Sequence, residues 1–452
     1  MTKLFGTDGI RGTAGVFPLD VPTMRRAGAS LTRHLQHELS RPPKIVSGRD
    51  TRESGEWLES AFVEGAVAAG AECRSAGVIT TPGIAFLTRQ LPADAGVVIS
   101  ASHNEYTDNG LKIFAPTGRK IDEGMERQIE SDLNCQTPTI HTSGALVDQV
   151  RTDDSLSLQR HYLNFLVNDV SPGLTLAGMT VAVDCANGAA SSLAPKLLEE
   201  LGARVVTINS EPDGKNINRD CGSLHPERLQ KVVATVSADL GLALDGDADR
   251  SLFVDEKGSL VDGDATLWAL AQYLQKTKQL AGDKVVATVM SNIGLELALR
   301  SIGVELVRTD VGDKFVLDEL LRSGAGLGGE QSGHIILPQV SLAGDGMITT
   351  LMLLTAMRTE NQPLSSLTRG IERYPQVLIN VPVREKRDFS ELPLVMESVA
   401  RVESELGENG RLLLRYSGTE RLARIMIEGP NEALIKRLAS EIAQRISDAL
   451  GE

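Results

Sequence analysis

One order of segments is written three times along the chain, and this repetition restricts the fold more than any single motif. In the first copy an apolar strand over 44–48 meets the polar turn Arg49-Asp50-Thr51-Arg52. A helical segment over 55–69 closes at Gly70, and a strand begins at Ala71. The apolar run Gly96-Val97-Val98-Ile99 then delivers the chain to a loop of small polar residues. The second copy runs from a strand over 180–183 through the turn 184–188 and a helix ending at Leu201-Gly202. A strand over 204–208 follows, and a strand over 239–244 then leads into Asp245. The third opens at 284–289, turns at Ser291-Asn292, stops its helix at Gly303 and reaches Glu330 through the glycine-rich run 324–329. Glycine closes each helix because it accepts the left-handed conformation of a helix end at little cost. Strands alternating with helices of this length predict parallel α/β sheets. Each loop also continues into a hairpin-like tail, clearest at Ser251-Leu252-Phe253-Val254-Asp255-Glu256-Lys257-Gly258. Ligands collect at the carboxyl ends of strands in open α/β sheets, so three such units predict three loops turned into one cleft.

A chain of 452 residues exceeds what one small core organises. The polar stretch 134–154 reads as a linker, a second boundary falls near Lys257, and a third lies within 361–374. The order changes after Pro375 to strand, helix, two strands and a long last helix, which reads as a smaller α+β domain. The expected division is 1–153, 154–256, 257–368 and 369–452: three related α/β domains with mixed sheets, and a C-terminal domain, around a central cleft.

The charge narrows the partners. A net charge of −14 with a pI near 5.1 excludes a general nucleic-acid or anionic-membrane binder, whose footprint is a basic face. No apolar run is long enough to span a bilayer, and the start of the chain breaks at Gly6 before any secretory apolar core forms. The cysteines Cys73, Cys135, Cys185 and Cys221 have no CxxC spacing, so neither a zinc knuckle nor a disulfide framework is expected. These features predict a cytoplasmic protein acting on small molecules, and they leave a homodimer open.

Four short stretches carry chemistry. Ser100-Ala101-Ser102-His103-Asn104 follows a buried strand and could place a hydroxyl beside an imidazole, although a surface turn is the simpler reading, with Asn109-Gly110 as its hairpin signal. Asp245-Gly246-Asp247-Ala248-Asp249-Arg250 sets three carboxylates on alternate positions, where they repel one another unless a cation intervenes. A hard divalent ion, Mg²⁺ for a phosphate substrate, suits such oxygen donors. An EF-hand is the rival, with Glu256 at its twelfth position, but its sixth position is Arg250 rather than glycine, and residues 240–244 read as a strand. Glu330-Gln331-Ser332-Gly333-His334 groups an acceptor, an amide, a hydroxyl and an imidazole, as a polyhydroxyl ligand requires. Arg415-Tyr416-Ser417-Gly418-Thr419-Glu420, with Arg424 beyond, supplies guanidinium groups, hydroxyls and a glycine-freed backbone, the parts of a phosphate cradle. The glycine-rich Phe5-Gly6-Thr7-Asp8-Gly9-Ile10-Arg11-Gly12 lacks both the P-loop lysine and the dinucleotide fingerprint.

Together, and in this order over the whole chain, the motifs resemble those of the α-D-phosphohexomutase superfamily, and within it the bacterial phosphoglucosamine mutases. The resemblance implies four domains in a heart-shaped arrangement, and exchange of the phosphate between the 6- and 1-positions of a hexosamine through a bisphosphorylated sugar. It implies that Ser102 carries the phosphoryl group and, with Asp245, Asp247 and Asp249, holds one Mg²⁺ per chain. Lys112 matches a family general acid/base, and Arg11 and His103 match residues of the same site, with Arg250 assisting charge neutralisation. Glu330, Gln331 and Ser332 would contact the sugar, and Arg415, Ser417, Gly418, Thr419 and Arg424 its distal phosphate. A hexosamine or hexose 1,6-bisphosphate would act as activator. The chain departs from many members at Glu105 and Arg421, where proline is common, which touches loop rigidity and no reacting group. Gln331 and Val311-Gly312-Asp313-Lys314 favour the glucosamine branch over phosphomannomutase/phosphoglucomutase, the alternative.

Overall fold

The structure, a computed structural model, describes residues 3–134, 154–417 and 420–451. The expected linker therefore lies outside the described residues except at its two ends. The first sheet contains β1 (Phe5–Gly6), β2 (Gly9–Thr13), β3 (Lys44–Arg49), β4 (Glu72–Val78), β5 (Ala95–Ile99) and β6 (Asp108–Phe114). The second contains β7 (Thr180–Asp184), β8 (Arg204–Ile208), β9 (Leu240–Leu244), β10 (Ser251–Val254) and β11 (Leu260–Val261). The third contains β12 (Lys284–Thr288), β13 (Glu305–Thr309), β14 (Leu327–Gly329) and β15 (Ile335–Ile336). A last sheet is built from β16 (Gln376–Pro382), β17 (Arg411–Tyr416) and β18 (Leu422–Glu428).

The threefold repeat is visible in the pairing. The opening strand of each unit (β3, β7, β12) is flanked on both sides by parallel strands: β4 and β5, β8 and β9, β13 and β14. The strand after each functional loop (β6, β10, β15) returns antiparallel to the one before it. The sheets are thus mixed, a parallel core with an antiparallel edge. The helix-closing glycines Gly70, Gly202 and Gly303 take φ of 100°, 93° and 77°, which only glycine adopts without strain. β11 pairs with β10 of the second sheet, so the expected cut at 256/257 falls inside a hairpin of the second unit.

One expectation is corrected here. Asn109-Gly110 is not a turn: both residues are buried inside β6, opposite Gly12 and Arg11 of β2. A Cβ at position 110 would stand 2.4 Å from the Ser100 carbonyl oxygen, so close strand packing, rather than turn geometry, requires the glycine.

A continuous apolar core runs through the first three units, joining Val46, Ile84, Val183, Leu242, Val285 and Leu351. The helix Ser155–Phe165 ties the first unit to it, stacking Phe165 on Phe86 and donating from Gln159 to the Ala76 and Val78 carbonyls. The C-terminal domain has its own core, in which Ile425 and Ile427 of β18 join Val395 and Val399 of the helix Pro393–Leu406 and Leu438 and Ile442 of the helix Glu432–Leu450. Its link to the third unit is polar: buried Glu428 accepts from Arg411, the Asn292 side chain and the Ile293 amide. Among the described residues, no helix is long and apolar enough to cross a membrane.

Candidate active site

β5 ends at Ile99 and the chain turns sharply, with Ser102 at φ 53°. That region is unfavourable for a residue with a side chain, and here it turns the hydroxyl toward the second unit. Ser102 is 1% exposed and its Oγ donates to Asp245 Oδ2 at 2.7 Å. His103 Nδ1 lies 3.4 Å from the same oxygen. The expected hydroxyl–imidazole pair thus forms, and a carboxylate from the metal motif joins it.

The alternating aspartates occupy the turn between β9 and β10, which is entered by a strand and not by an EF-hand helix. Glu256 faces elsewhere, bonded to Ser365. Ligand atoms of Asp245, Asp247 and Asp249 lie within 4.8 Å of one another, all three residues buried. Burial and the neighbouring Asp249 and Asp247 push the Asp245 carboxyl well above its usual range, the sign of a site short of positive charge. Asp247 Oδ1 and Asp249 Oδ1 are buried without a hydrogen-bond partner. An all-oxygen set with two orphaned carboxylate oxygens fits a hard divalent cation.

Lys112, on β6, is buried with its ammonium 2.9 Å from Asp247 Oδ2, 2.9 Å from Asp8 Oδ2 and 3.5 Å from Asp249 Oδ2. Burial opposes the charge, yet Asp247, Asp8 and Asp249 overrule it and hold the lysine well above its usual value. Asp8 responds in the opposite sense: burial would raise it, but Lys112 and Lys120 hold it far below the usual carboxylate range. Burial, reinforced by Arg250 and Arg11, pushes His103 down to about 4, leaving a neutral imidazole beside the hydroxyl at neutral pH. For His334 burial is outweighed by Asp249, which raises it to about 9.

Of these groups Asp8, His103, Asp249 and His334 border a cavity of about 460 Å³, within the range of small-molecule sites. Arg11, His103 and Arg250 share its wall with Asp313 and Glu330. Arg11 is oriented by Asp8 and by Asn104 Oδ1, at 2.5 and 3.1 Å. Glu330 receives the Gly312 amide at 3.1 Å on Oε1, which fixes its carboxylate at the rim. Its two loop neighbours are placed differently. Gln331 points its amide nitrogen at buried Asp264, 3.2 Å away, and Ser332 Oγ sits 3.5 Å from Glu330 Oε2; neither borders the cavity. Among the described residues, nothing from the C-terminal domain borders it either. Arg415 and Arg424 are register partners on β17 and β18, Arg424 reaches Glu420 at 3.0 Å, and the Ser417 carbonyl accepts from Lys386 at 2.6 Å. Gly418 and Thr419 lie outside the described residues.

Several participants escaped the sequence reading. Asp8 and Lys120 meet at 2.6 Å, and Lys120 also bonds Asp313 of the third unit at 2.6 Å, bridging the cleft. Thr81 holds Asp247 twice, through its hydroxyl at 2.6 Å and its amide at 3.0 Å. The only signal for Asp8 was its place in the glycine-rich opening; for Thr81 and Lys120 there was none, because their partners are remote in sequence.

Comparison with known proteins agrees with this geometry. Residues 2–138, 160–258 and 262–374 match the families described as phosphoglucomutase/phosphomannomutase alpha/beta/alpha domains I, II and III, and 378–445 matches the C-terminal domain of the same group. A protein of Solibacter usitatus named phosphoglucosamine mutase is 47% identical over 449 residues, 99% of each chain. A Burkholderia thailandensis protein of the phosphoglucomutase/phosphomannomutase family superposes with a TM-score of 0.79 at 23% identity, over 100% of this chain and 99% of its own. The N-acetylphosphoglucosamine mutase of Aspergillus fumigatus, solved with GlcNAc-6P and magnesium, gives 0.62 at 20% identity over 99% and 96%. At such identities the two structures speak for the fold alone.

Proposed function

The chain belongs to the phosphoglucomutase/phosphomannomutase family, and we propose that it interconverts glucosamine 6-phosphate and glucosamine 1-phosphate through a phosphorylated Ser102 and a bisphosphorylated sugar, in the cytoplasm. It is 45–47% identical over nearly its whole length to relatives named phosphoglucosamine mutase, which disfavours phosphomannomutase or phosphoglucomutase activity. The observation that carries the mechanism is the Ser102 hydroxyl held 2.7 Å from Asp245 within the carboxylate cluster, whose Asp249 borders, with His103, the cavity of about 460 Å³.

Phosphoryl transfer requires positioning and neutralisation of charge more than covalent chemistry from the protein. Asp245, Asp247 and Asp249 would hold Mg²⁺, which when bound supplies positive charge to the phosphoryl oxygens. Arg11 and Arg250 face the cavity and receive phosphate oxygens of the sugar. Lys112 keeps its proton at neutral pH and would hand it to Ser102 Oγ as the phosphoryl group leaves for a sugar hydroxyl. Neutral His103 can accept the proton which that hydroxyl releases. Glu330 offers a carboxylate to the C2 ammonium, and the amino group distinguishes this sugar from glucose and mannose. Arg415, Ser417 and Arg424 would grip the distal phosphate when the C-terminal domain closes, and would retain the bisphosphate while it reorients. A 1,6-bisphosphate would prime the unphosphorylated serine.

Purified protein incubated with glucosamine 6-phosphate, Mg²⁺ and a trace of glucose 1,6-bisphosphate tests the reading. Glucosamine 1-phosphate is the expected product. Free phosphate would make the protein a phosphatase, and unchanged substrate a non-catalytic sugar-phosphate binder.

A further inference from the structure

The serine loop is gripped from two domains by side chains that lie outside the reaction, and we propose that Arg52 and Asn218 are positioning residues that set the geometry of Ser102 against the metal loop. This rests on the mutase reading above.

Arg52 lies in the turn after β3 and is 2% exposed. Its Nε donates to Asp50 Oδ2 at 2.9 Å. One terminal nitrogen donates to the Ser102 and Asn104 carbonyls at 3.0 and 2.8 Å. The other reaches the Asp108 carbonyl at 3.1 Å and the Glu105 carbonyl. One guanidinium thus collects carbonyls along the whole loop, which its planar fork of donors allows and an ammonium does not. Asp50 extends the grip. It accepts from Ser100 Oγ at 2.6 Å, and that hydroxyl receives the Ser102 amide at 3.0 Å.

Asn218 approaches from the second domain, between β8 and β9, and donates to the same two carbonyls, Ser102 at 2.8 Å and Asn104 at 2.9 Å. The metal loop abuts the same point: a Cβ on Gly246 would stand 2.5 Å from the Ser102 carbonyl oxygen and 2.8 Å from Asn218 Nδ2. The serine loop, the Asn218 loop and the aspartate loop therefore meet at one carbonyl oxygen. The left-handed conformation of Ser102 persists only where its surroundings over-determine it, and these donors do so. Neither side chain contacts the reacting oxygen. Their effect passes through the backbone that aims it, where a displacement near 1 Å can cost about a hundredfold in rate.

Asn218→Ala is the decisive variant, because Asn218 is only half-buried and its loss spares the Arg52–Asp50 pair. In the Mg²⁺-loaded enzyme, kcat for glucosamine 6-phosphate should fall about ten- to a hundredfold with KM within about twofold, since the loss is felt in the transition state alone. Amide exchange over 100–109 should quicken in the variant and stay unchanged elsewhere, a local effect that general destabilisation would not give. Arg52→Lys should show the same split, and combining the two should cost less than the product of the single effects, because both act on the same carbonyls. A folded Asn218→Ala with kcat within twofold of the parent overturns the proposal, as does unaltered exchange over 100–109. A parent protein that fails to isomerise glucosamine 6-phosphate refutes the substrate assignment, whereas the exchange measurement judges the clamp by itself.

Discussion

Replacing Lys112 with methionine should raise the enzyme's affinity for Mg²⁺ while destroying its turnover. The two side chains have similar length, so the change mainly deletes a charge. That charge lies within 2.9 to 3.5 Å of three carboxylates, those of Asp8, Asp247 and Asp249. Removing one member of a buried ion pair leaves the other uncompensated and costs about 3–5 kcal/mol. The metal-free variant should therefore melt well below the parent. A divalent cation answers the same deficit through the Oδ1 atoms of Asp247 and Asp249, which have no hydrogen-bond partner. A ligand at a hundred times its Kd contributes about 2.7 kcal/mol, so Mg²⁺ should restore much of the lost stability and raise the variant's melting temperature more than the parent's. Turnover should drop about 10²- to 10⁴-fold through loss of the positioned proton donor. The pH response separates the two proteins further. In the parent, Asp8 and Asp249 are held below their usual range, so their contribution is present above about pH 4 and is lost as pH falls through their depressed values. In the metal-free variant Asp8 keeps Lys120 and Arg11, but Asp249 loses the ammonium that chiefly depresses it, and lowering the pH should relieve the repulsion within the aspartate cluster and stabilise the protein. Thermal unfolding in EDTA and across a MgCl₂ titration, with coupled kinetics in parallel, measures all of this. An identical Mg²⁺-induced shift in parent and variant would refute the shared-carboxylate argument.

Ser102→Ala should remove almost all mutase activity and change the melting temperature little; near-normal turnover by the folded variant would end the phosphoserine assignment. Asp247→Asn should weaken Mg²⁺ binding, read by calorimetry, and slow transfer sharply, and chelator-treated parent should be inactive until metal is returned. Asp264, raised to about 7 mainly by burial, makes stability fall as pH rises from about 4 to 7, by up to about 4 kcal/mol. Asp264→Asn should flatten the melting temperature across that interval, and an unchanged slope would show that the carboxyl is not its source. Glucosamine phosphate should exceed glucose phosphate by about ten- to a hundredfold in kcat/KM, the worth of one charge-assisted bond of about 1.5–3 kcal/mol at Glu330. Equal values would assign the sugar to a neighbouring branch and leave the phosphoryl chemistry intact.

What the sequence alone determined is whatever depends on neighbours along the chain. The strand–turn–helix grammar was legible three times because apolar runs and helix-ending glycines act within a few residues; Gly70, Gly202 and Gly303 all take positive φ. The aspartate triad was legible because alternate carboxylates in one turn must converge. Tertiary structure decided the rest, because packing overrules local propensity and contact partners lie far apart. Asn109-Gly110, a turn by propensity, became buried strand because β6 pairs with β2 and β5 on either side, and the glycine is required there because the Ser100 carbonyl leaves no room for a Cβ. Gln331 had the composition of a sugar ligand, yet its amide nitrogen turns to Asp264, sixty-seven positions earlier. Lys112 meets Asp8 and Asp247 across 104 and 135 positions, and Asn218 reaches the serine loop across 116. No local preference encodes those meetings; they exist because three sheets share one core and bring their loops to a common cleft.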